Sequence, residues 1–140
     1  MEYQLTCSLV TYNNDFDMLE KAIKSFLSTQ LQVKLFIIDN SPSDKLKLLQ
    51  NISSAKIEYI HNPTNPGFGA AHNIALKKVK AISPYHLILN PDIYFNKGVN
   101  ESILSFLGER KDIGVLMPKI VYPDNSLQYV AKLLPTPLDF

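Results

Sequence analysis

The sequence is short of several features that would point to particular classes of protein. Its 140 residues include a single cysteine, Cys7, so the chain cannot form an internal disulfide. The formal net charge is +1, which leaves no basic surplus for binding the phosphates of a nucleic acid. No apolar run approaches the ~20 residues of a membrane span, and the first residues do not read as a secretory leader. These absences predict one soluble, cytoplasmic domain over residues 1–140, with no nucleic-acid partner and no membrane span.

The composition and periodicity that are present indicate a folded α/β domain. Hydrophobic residues make up 46% of the chain and charged residues 19%, which is enough for a buried core. Apolar runs that begin near residues 5, 33, 57 and 87 predict buried strands. Helical periodicity between and after them predicts helices over residues 17–27, 43–51, 69–80 and 100–107, with Asp17 and Glu20 as a capping box and Gly108 as the last helix stop. This alternation predicts a three-layer, mostly parallel sheet with right-handed crossovers.

The region after residue 110 predicts a different arrangement. Residues 115–117 have the character of a short strand. Apolar side chains then alternate on both sides of the turn sequence Pro123-Asp124-Asn125-Ser126, through Ile120 and Tyr122 before it and Leu127, Tyr129 and Ala131 after it. This pattern is typical of a β-hairpin, which would add a mixed edge to the sheet.

Polar residues follow three of the predicted strands at their carboxyl ends, where parallel sheets bind ligands. The tyrosine ring of Tyr12 can stack on a nucleobase, Asp39 can accept a hydrogen bond from a base imino group, and Asp92 can bind a divalent cation that bridges phosphates. Taken singly, each has a simpler explanation: a partly buried aromatic, an Asx turn, and a turn or helix cap. Taken together, they predict a site for a nucleotide diphosphate.

Other residues with chemical potential give weaker signals. Gly67 and Gly69 allow a tight turn and a close ligand approach at the start of a helix, but there is neither a GxGxxG nor a Walker motif. His61 and His86 are isolated and are interpreted as structural, and Cys7 as a buried, unreactive thiol.

The order of these polar blocks resembles the family 2 glycosyltransferases, which have the GT-A fold. The resemblance covers about residues 5–92, and it is the ordered set that is specific, since each block alone is common. The blocks are Val10-Thr11-Tyr12-Asn13, Ile37-Ile38-Asp39-Asn40-Ser41, Asn62-Pro63, Asn65, Gly67-Phe68-Gly69, Asn73 and Leu89-Asn90-Pro91-Asp92.

The resemblance implies a role for each matching residue. Thr11, Tyr12 and Asp39 would hold the nucleobase, and the family's DxD motif corresponds to Asn90-Pro91-Asp92. Asp92 is then the metal ligand for Mg²⁺ or Mn²⁺, while Asn90 can donate or accept hydrogen bonds but adds no charge. The remaining expected donor-binding residues are Gly67, His72 and Asn73. His72 stands where many relatives have arginine, and it has two open interpretations: a donor toward a phosphate or a solvated helix residue.

The resemblance also implies an activity, that of an inverting glycosyltransferase of the rhamnosyltransferase-like branch. Such an enzyme would move a sugar from a nucleotide diphosphate, with deoxythymidine-diphosphate rhamnose as the suggested donor. The acceptor would be a glycan or lipid-linked glycan in cell-surface polysaccharide synthesis, with the full-length protein peripheral to the inner face of the membrane. The alternative from another class is a non-catalytic nucleotide-binding α/β module.

The catalytic general base has no clear candidate in the sequence. The acids after Asp92 are better explained as caps, solvated faces or turn residues; they are Glu101, Glu109, Asp112, Asp124 and Asp139. We therefore expect the base to lie outside this chain. On this view the chain is truncated before the acceptor-binding part and is incomplete for catalysis.

Overall fold

The computed structural model of the protein describes residues 2–129. The chain divides into two compact units, residues 1–108 and residues 109–140. The four strands of the sheet and the helices between them belong to the first unit. No helix within the described residues is long and apolar enough to cross a bilayer.

Four parallel strands form one sheet in the first unit, in the order β3-β2-β1-β4. Every residue of β1 is buried, since β1 has a strand on each side and helices on both faces. The four strands predicted to begin near residues 5, 33, 57 and 87 and the α/β class are confirmed, and the sheet of the described residues is entirely parallel. Their bounds are β1 (Leu5–Thr11), β2 (Val33–Asp39), β3 (Ile57–His61) and β4 (His86–Leu89).

Helices connect these strands and follow the last one. The second predicted helix is a 3₁₀ helix, and the Asp44 side chain before it makes no capping hydrogen bond. The bounds are α1 (Phe16–Leu27), the 3₁₀ helix (Lys45–Ile52), α2 (Phe68–Val79) and α3 (Val99–Glu109).

Two predicted helix-end signals are wrong. The N-cap of α1 is Asp15, whose side chain accepts a hydrogen bond from the Met18 amide at 3.0 Å. Asp17 therefore lies in the first turn, where its charge favours the helix N-terminus without capping it. Gly108 does not stop α3, because the helix continues to Glu109 and Gly108 lacks the positive φ of a C-terminal glycine cap.

The two faces of the sheet bury separate apolar clusters. The larger one includes Cys7, Leu9 and Ile37 beneath α1 and the 3₁₀ helix. Full burial raises the pKa of the Cys7 thiol, as expected for an inert cysteine. The smaller cluster joins Phe36 and Ile38 to α2. Because successive strand residues alternate between faces, Thr6, Ser8 and Val10 of β1 face α2.

Within residues 109–129 the structure shows none of the predicted strands. Residues 115–117 are irregular, with Val115 91% exposed. In place of the predicted hairpin there is a turn and one antiparallel bridge, between Val121 and Leu127. Tyr122 and Tyr129 are also exposed, so the alternating pattern has no buried face to fix a register. Ala131 and the end of the predicted hairpin lie outside the described residues.

Candidate functional site

The strand register brings Thr11, Asp39 and the Asn90–Asp92 turn to one edge of the sheet. Thr11 pairs with Asp39 on one side, and Asp39 pairs with His61. On the other side of β1, Leu9 pairs with Leu89, the last residue of β4, so the Asn90–Asp92 turn follows beside the end of β1. Strand order reverses between β1 and β4, and open α/β sheets bind ligands in the crevice at such a point. The predicted convergence of these strand ends is confirmed.

Side-chain hydrogen bonds fix the backbone where β1 ends and the next loop begins. Thr11 is buried, and its hydroxyl donates to the Asn14 Oδ1 atom at 2.9 Å, which also accepts from the Tyr12 amide. Asn13 adopts a positive φ of 52°, and its amide donates to the Ser41 Oγ atom at 2.8 Å. This arrangement leaves the Tyr12 ring 51% exposed at the sheet edge, where it can stack on a planar ligand.

Asp39 is fully buried, and both of its oxygens have protein partners. Its Oδ1 accepts from the Ser41 amide at 2.9 Å, which is the Asx turn, and its Oδ2 accepts from the Tyr59 hydroxyl. Burial and this carboxylate together raise the pKa of Tyr59. A carboxylate offers about four lone-pair sites, so Asp39 can accept another donor once its surroundings open.

The turn after β4 presents the only carboxylate of the Asn90-Pro91-Asp92 motif. The Ile93 amide donates to the Asn90 carbonyl at 3.2 Å, which places Pro91 and Asp92 at the centre of a β-turn. Both Asn90 and Asp92 are exposed, and the ion pairs within residues 2–129 lie elsewhere. The Asp92 carboxylate is thus available to a ligand.

These residues fit one kind of cation site. Among residues 2–129, no three His, Cys, Asp or Glu side chains come together, so the described protein alone does not cage a metal ion. Mg²⁺ is commonly held by one or two carboxylates together with substrate phosphates and waters. Asp92 and the Asn90 amide match that shared arrangement.

The start of α2 explains one of its two glycines. Gly67 has φ 92° and ψ 170°, a region that is essentially open only to glycine. Gly69 is helical, with nothing near the position of a Cβ atom, so the backbone does not require glycine there. Asn73 is exposed on α2 in a shallow groove with Ala70, Leu76 and Lys77, and no described contact brings it to the strand ends.

His72 is buried, so its interpretation as a solvated helix residue is wrong. Its Nδ1 lies 2.7 Å from the Ser8 Oγ atom, which lies 2.8 Å from His86 Nε2. The His72 Nε2 atom is buried and has no hydrogen-bond partner among the described residues. Burial lowers the pKa of His72; burial, aided by the neighbouring His72, lowers the pKa of His86 to about 4. Both rings are therefore neutral at pH 7.

A small polar cavity of about 190 Å³ adjoins the ends of β1 and β2. It opens between the loop that follows β1 and the start of the 3₁₀ helix. Its lining is mostly hydrogen-bonding groups, with Lys45 as the only charge; the residues are Asn13, Asn14, Ser41, Ser43, Lys45 and Leu46.

The acids considered as a general base are mostly engaged elsewhere. Glu101 accepts hydrogen bonds from the Thr29 hydroxyl and the Gln30 amide, and the first of these does most to lower the pKa of Glu101. Asp112 pairs with Arg110 at 2.9 Å. Asp124 accepts from the backbone and hydroxyl of Ser126 within its own turn. Glu109 is exposed at the end of α3, and Asp139 lies outside the described residues.

Sequence reasoning missed three residues next to the predicted site. Ser8 is hydrogen-bonded to His72, and Tyr59 is hydrogen-bonded to Asp39. Tyr94 follows Asp92 by two residues, and its ring centroid lies 3.4 Å from the Lys21 ammonium. One signal was available for Ser8, since Thr6 and Ser8 place two hydroxyls on one face of an otherwise apolar strand. Nothing in the local sequence links Tyr59 to Asp39 or Lys21 to Tyr94.

Fold and site together define an α/β protein with polar residues at the switch point of a parallel sheet, where folds of this kind bind ligands. The sequence model of Glycosyl transferase family 2 matches residues 7–138, and the chain belongs to this family. A search of curated protein sequences found no match.

Solved glycosyltransferase structures share the fold. S. aureus TarS 1-349 is 18% identical with a TM-score of 0.64, and its complex with UDP is 18% identical with a TM-score of 0.63; each comparison covers 77% of this chain and 33% of that one. The mannosyltransferase PcManGT from Pyrobaculum calidifontis, in complex with GDP-Man and Mn2+, is 13% identical with a TM-score of 0.63 and 76% and 33% coverage. The chain spans about a third of the length of these proteins. At such identities the likeness establishes the GT-A fold.

Proposed function

We propose that this chain binds the nucleotide-diphosphate sugar for a family 2 glycosyl transfer. The observation that carries the proposal is the register that places Thr11 between Asp39 and the Asn90–Asp92 turn. Neighbouring strands lie about 4.8 Å apart, so the end of β2 and the turn after β4 are separated by roughly 10 Å. One nucleotide can then place its base near β2 and its diphosphate near β4.

The base-binding part of this proposal rests on Thr11, Tyr12 and Asp39. The exposed Tyr12 ring is free to stack on the base. Asp39 would accept from a base imino group while keeping its bond from Ser41, with the Tyr59 hydroxyl as the partner that yields. This exchange keeps the buried carboxylate hydrogen-bonded in both states, which avoids the cost of leaving it unpaired.

The diphosphate would lie between the Asn90–Asp92 turn and the start of α2. Asp92 and Asn90 would hold a Mg²⁺ or Mn²⁺ ion together with the phosphates, and Gly67, His72 and Asn73 belong to the same proposed donor site. When bound, such an ion supplies positive charge that stabilises the leaving diphosphate. The Mn2+ and GDP-Man named with PcManGT support this arrangement by similarity of fold.

The finer assignment follows the resemblance. Asn90-Pro91-Asp92 together with Gly67-Phe68-Gly69 favours the rhamnosyltransferase-like branch and a deoxythymidine-diphosphate sugar. We propose an inverting transfer to a glycan or lipid-linked glycan in cell-surface polysaccharide synthesis, on the cytoplasmic side of the membrane. Because Glu101, Asp112 and Asp124 are engaged in local contacts, the base that deprotonates the acceptor is proposed to come from outside this chain. The same contacts favour the second candidate, donor binding without transfer by this chain alone.

Calorimetric titration with dTDP, UDP and GDP, with and without Mn²⁺, tests the donor site. We expect Mn²⁺ to increase the affinity for a nucleoside diphosphate. Asp92→Asn should lower the affinity measured with Mn²⁺ by about tenfold, because it deletes the motif's only carboxylate. Glu58→Gln is the matched control, since Glu58 lies on β3 away from the strand ends and pairs with Lys78. An unchanged Mn²⁺ response in Asp92→Asn contradicts the assignment.

A further inference from the structure

A series of hydrogen-bonded polar side chains links β1, β4 and α2 on one face of the sheet; Thr6, Ser8 and His72 are buried and His86 is half-buried. The Thr6 Oγ1 atom lies 2.9 Å from His86 Nδ1, and His86 Nε2 lies 2.8 Å from the Ser8 Oγ atom. Ser8 Oγ then lies 2.7 Å from His72 Nδ1. Four side chains thus form one continuous series of hydrogen bonds that ends at the unpartnered His72 Nε2.

The backbone beside Thr6 sets the direction of this series. The Tyr85 carbonyl accepts from the Thr6 amide at 3.0 Å and from the Ser83 hydroxyl at 2.8 Å, which occupies its two lone pairs. The Thr6 hydroxyl is farther from that carbonyl, at 3.2 Å, than from His86 Nδ1, at 2.9 Å. The Thr6 hydroxyl can donate either to the Tyr85 carbonyl or to His86 Nδ1, and the shorter distance assigns its proton to His86.

The other protons follow from the first, because each neutral imidazole carries one N–H and each hydroxyl one proton. His86 Nδ1 accepts, so its Nε2 carries the proton and donates to Ser8. Ser8 in turn donates to His72 Nδ1. The His72 proton is left on Nε2, where it forms a buried N–H donor with no acceptor among residues 2–129.

An unsatisfied buried donor in a folded protein calls for an explanation. We propose that Ser8 and His86 are positioning residues, which fix His72 as an N–H donor aimed at an oxygen acceptor of the bound nucleotide. This inference rests on the proposed function and extends it to two residues that do not themselves touch the nucleotide sugar. The partner is an oxygen, in a phosphate or a base carbonyl, because a neutral N–H pairs with an acceptor and not with an amino group.

Access to His72 requires a small movement. The Phe68 ring stacks edge-on against the imidazole with the centroids 4.4 Å apart, and Phe68 is 53% exposed at the first position of α2. Phe68 can turn toward solvent without opening the apolar cluster beneath α2, which does not include it. Nucleotide binding at the strand ends would then replace a ring contact with a hydrogen bond.

The histidine tautomer can be read directly by long-range ¹H–¹⁵N NMR of the 140-residue chain. We expect His72 to carry its proton on Nε2 in the wild type. Ser8→Ala should give a mixture of tautomers, because it removes the donor to Nδ1. Ser83→Ala should shift His72 toward the Nδ1–H form, because it frees a lone pair on the Tyr85 carbonyl for the Thr6 hydroxyl. A wild-type His72 with its proton on Nδ1 overturns the inference.

Binding separates a positioning role from a structural one. In titrations with dTDP and UDP in the presence of Mn²⁺, Ser8→Ala should bind roughly 2- to 10-fold more weakly, the effect of one misdirected hydrogen bond. The matched control is Ser25→Ala, since the Ser25 hydroxyl donates within α1 to the Ala22 carbonyl and lies outside the chain of bonds.

The outcomes distinguish this inference from the proposed function. A changed tautomer with unchanged affinity in Ser8→Ala, while the wild type keeps its Mn²⁺ response, overturns the positioning role alone. If the wild type binds no nucleoside diphosphate, the proposed function fails and the binding role fails with it.

Discussion

Mild acid should weaken the fold by protonating His86. Burial lowers the pKa of this imidazole to about 4 from an ordinary value of 6.5. The unfolded chain therefore binds a proton between these two values that the folded chain does not, and stability falls as the pH drops from 6.5 toward 4. From pH 7 to pH 5 a single group with this shift loses about 2 kcal/mol of unfolding free energy, and partial exposure of the ring reduces this to about 1 to 2 kcal/mol.

Urea unfolding at a series of pH values measures this loss. We expect the wild-type unfolding free energy to fall across pH 7 to 5, and His86→Gln, which cannot titrate, to fall by about 1 to 2 kcal/mol less. The quantity to compare is the change in unfolding free energy with pH, because the substitution also changes the unfolding free energy at every pH. His72 contributes in the same direction, since burial also lowers its pKa, so some slope should persist in the variant.

His61→Gln is the matched control for this experiment. His61 is exposed at the end of β3, and its Nε2 lies 2.9 Å from the Ser41 carbonyl, outside the hydrogen-bonded series that includes His86. Equal slopes for the wild type and His86→Gln would refute the reasoning. They would mean that His86 is either solvated or protonated in the folded protein at pH 5.

Two further predictions concern the strand ends. Gly67→Ala should lower the unfolding free energy in urea by about 1 to 3 kcal/mol, because alanine is strained at φ 92°. Gly69→Ala should be neutral or stabilising, and equal effects of the two substitutions would contradict the argument from the positive φ of Gly67. Asp39→Asn should weaken nucleotide binding with or without Mn²⁺, because its proposed partner is the base, and Tyr59→Phe should not weaken it, because it removes only a competing donor to Asp39. Calorimetry on both variants measures this, and tighter dependence on Mn²⁺ in Asp39→Asn would contradict a role at the base.

The regular part of the fold could be predicted because its signals are local and mutually consistent. Apolar runs of strand length alternate with amphipathic stretches of helix length, and this alternation admits few arrangements other than a parallel sheet between helices. Helix ends were less predictable. The sequence predicted Asp17 as the N-cap because Glu20 follows three residues on, whereas Asp15 caps the helix, because the N-cap depends on where the loop after β1 ends.

The second unit shows why alternation alone does not make a strand. Val115 and Tyr129 follow a strand-like pattern, yet they are 91% and 83% exposed. A strand needs a neighbour that pairs with its backbone and a surface that covers its apolar face, and neither requirement is written in the local sequence. Period-two hydrophobicity therefore predicts a strand only when the same sequence also supplies the partner.

The site was predictable as far as its residues belong to strand ends. Thr11, Asp39 and Asp92 could be placed together, since the carboxyl ends of parallel strands share one edge. Their hydrogen-bond partners could not, because Tyr59 meets Asp39, and Ser8 meets His72, through pairings of separate elements. The simple explanation of Asp39 as an Asx turn is confirmed, and it coexists with the proposed contact to a base.

The contrast between Asp39 and Asp92 suggests how the two ends of the site divide their work. Asp39 is fully buried, and both of its oxygens accept hydrogen bonds from the protein. A base can therefore replace one of these donors, but bringing a further charge next to the buried carboxylate would carry a desolvation penalty. Asp92 is exposed on a turn, where it can join a cation and phosphates as they arrive and needs no prior partner. If the proposed donor site is right, selectivity for the base should therefore depend on the base replacing the Tyr59 hydroxyl at buried Asp39, whereas affinity for the diphosphate should depend on the ion supplied from solution.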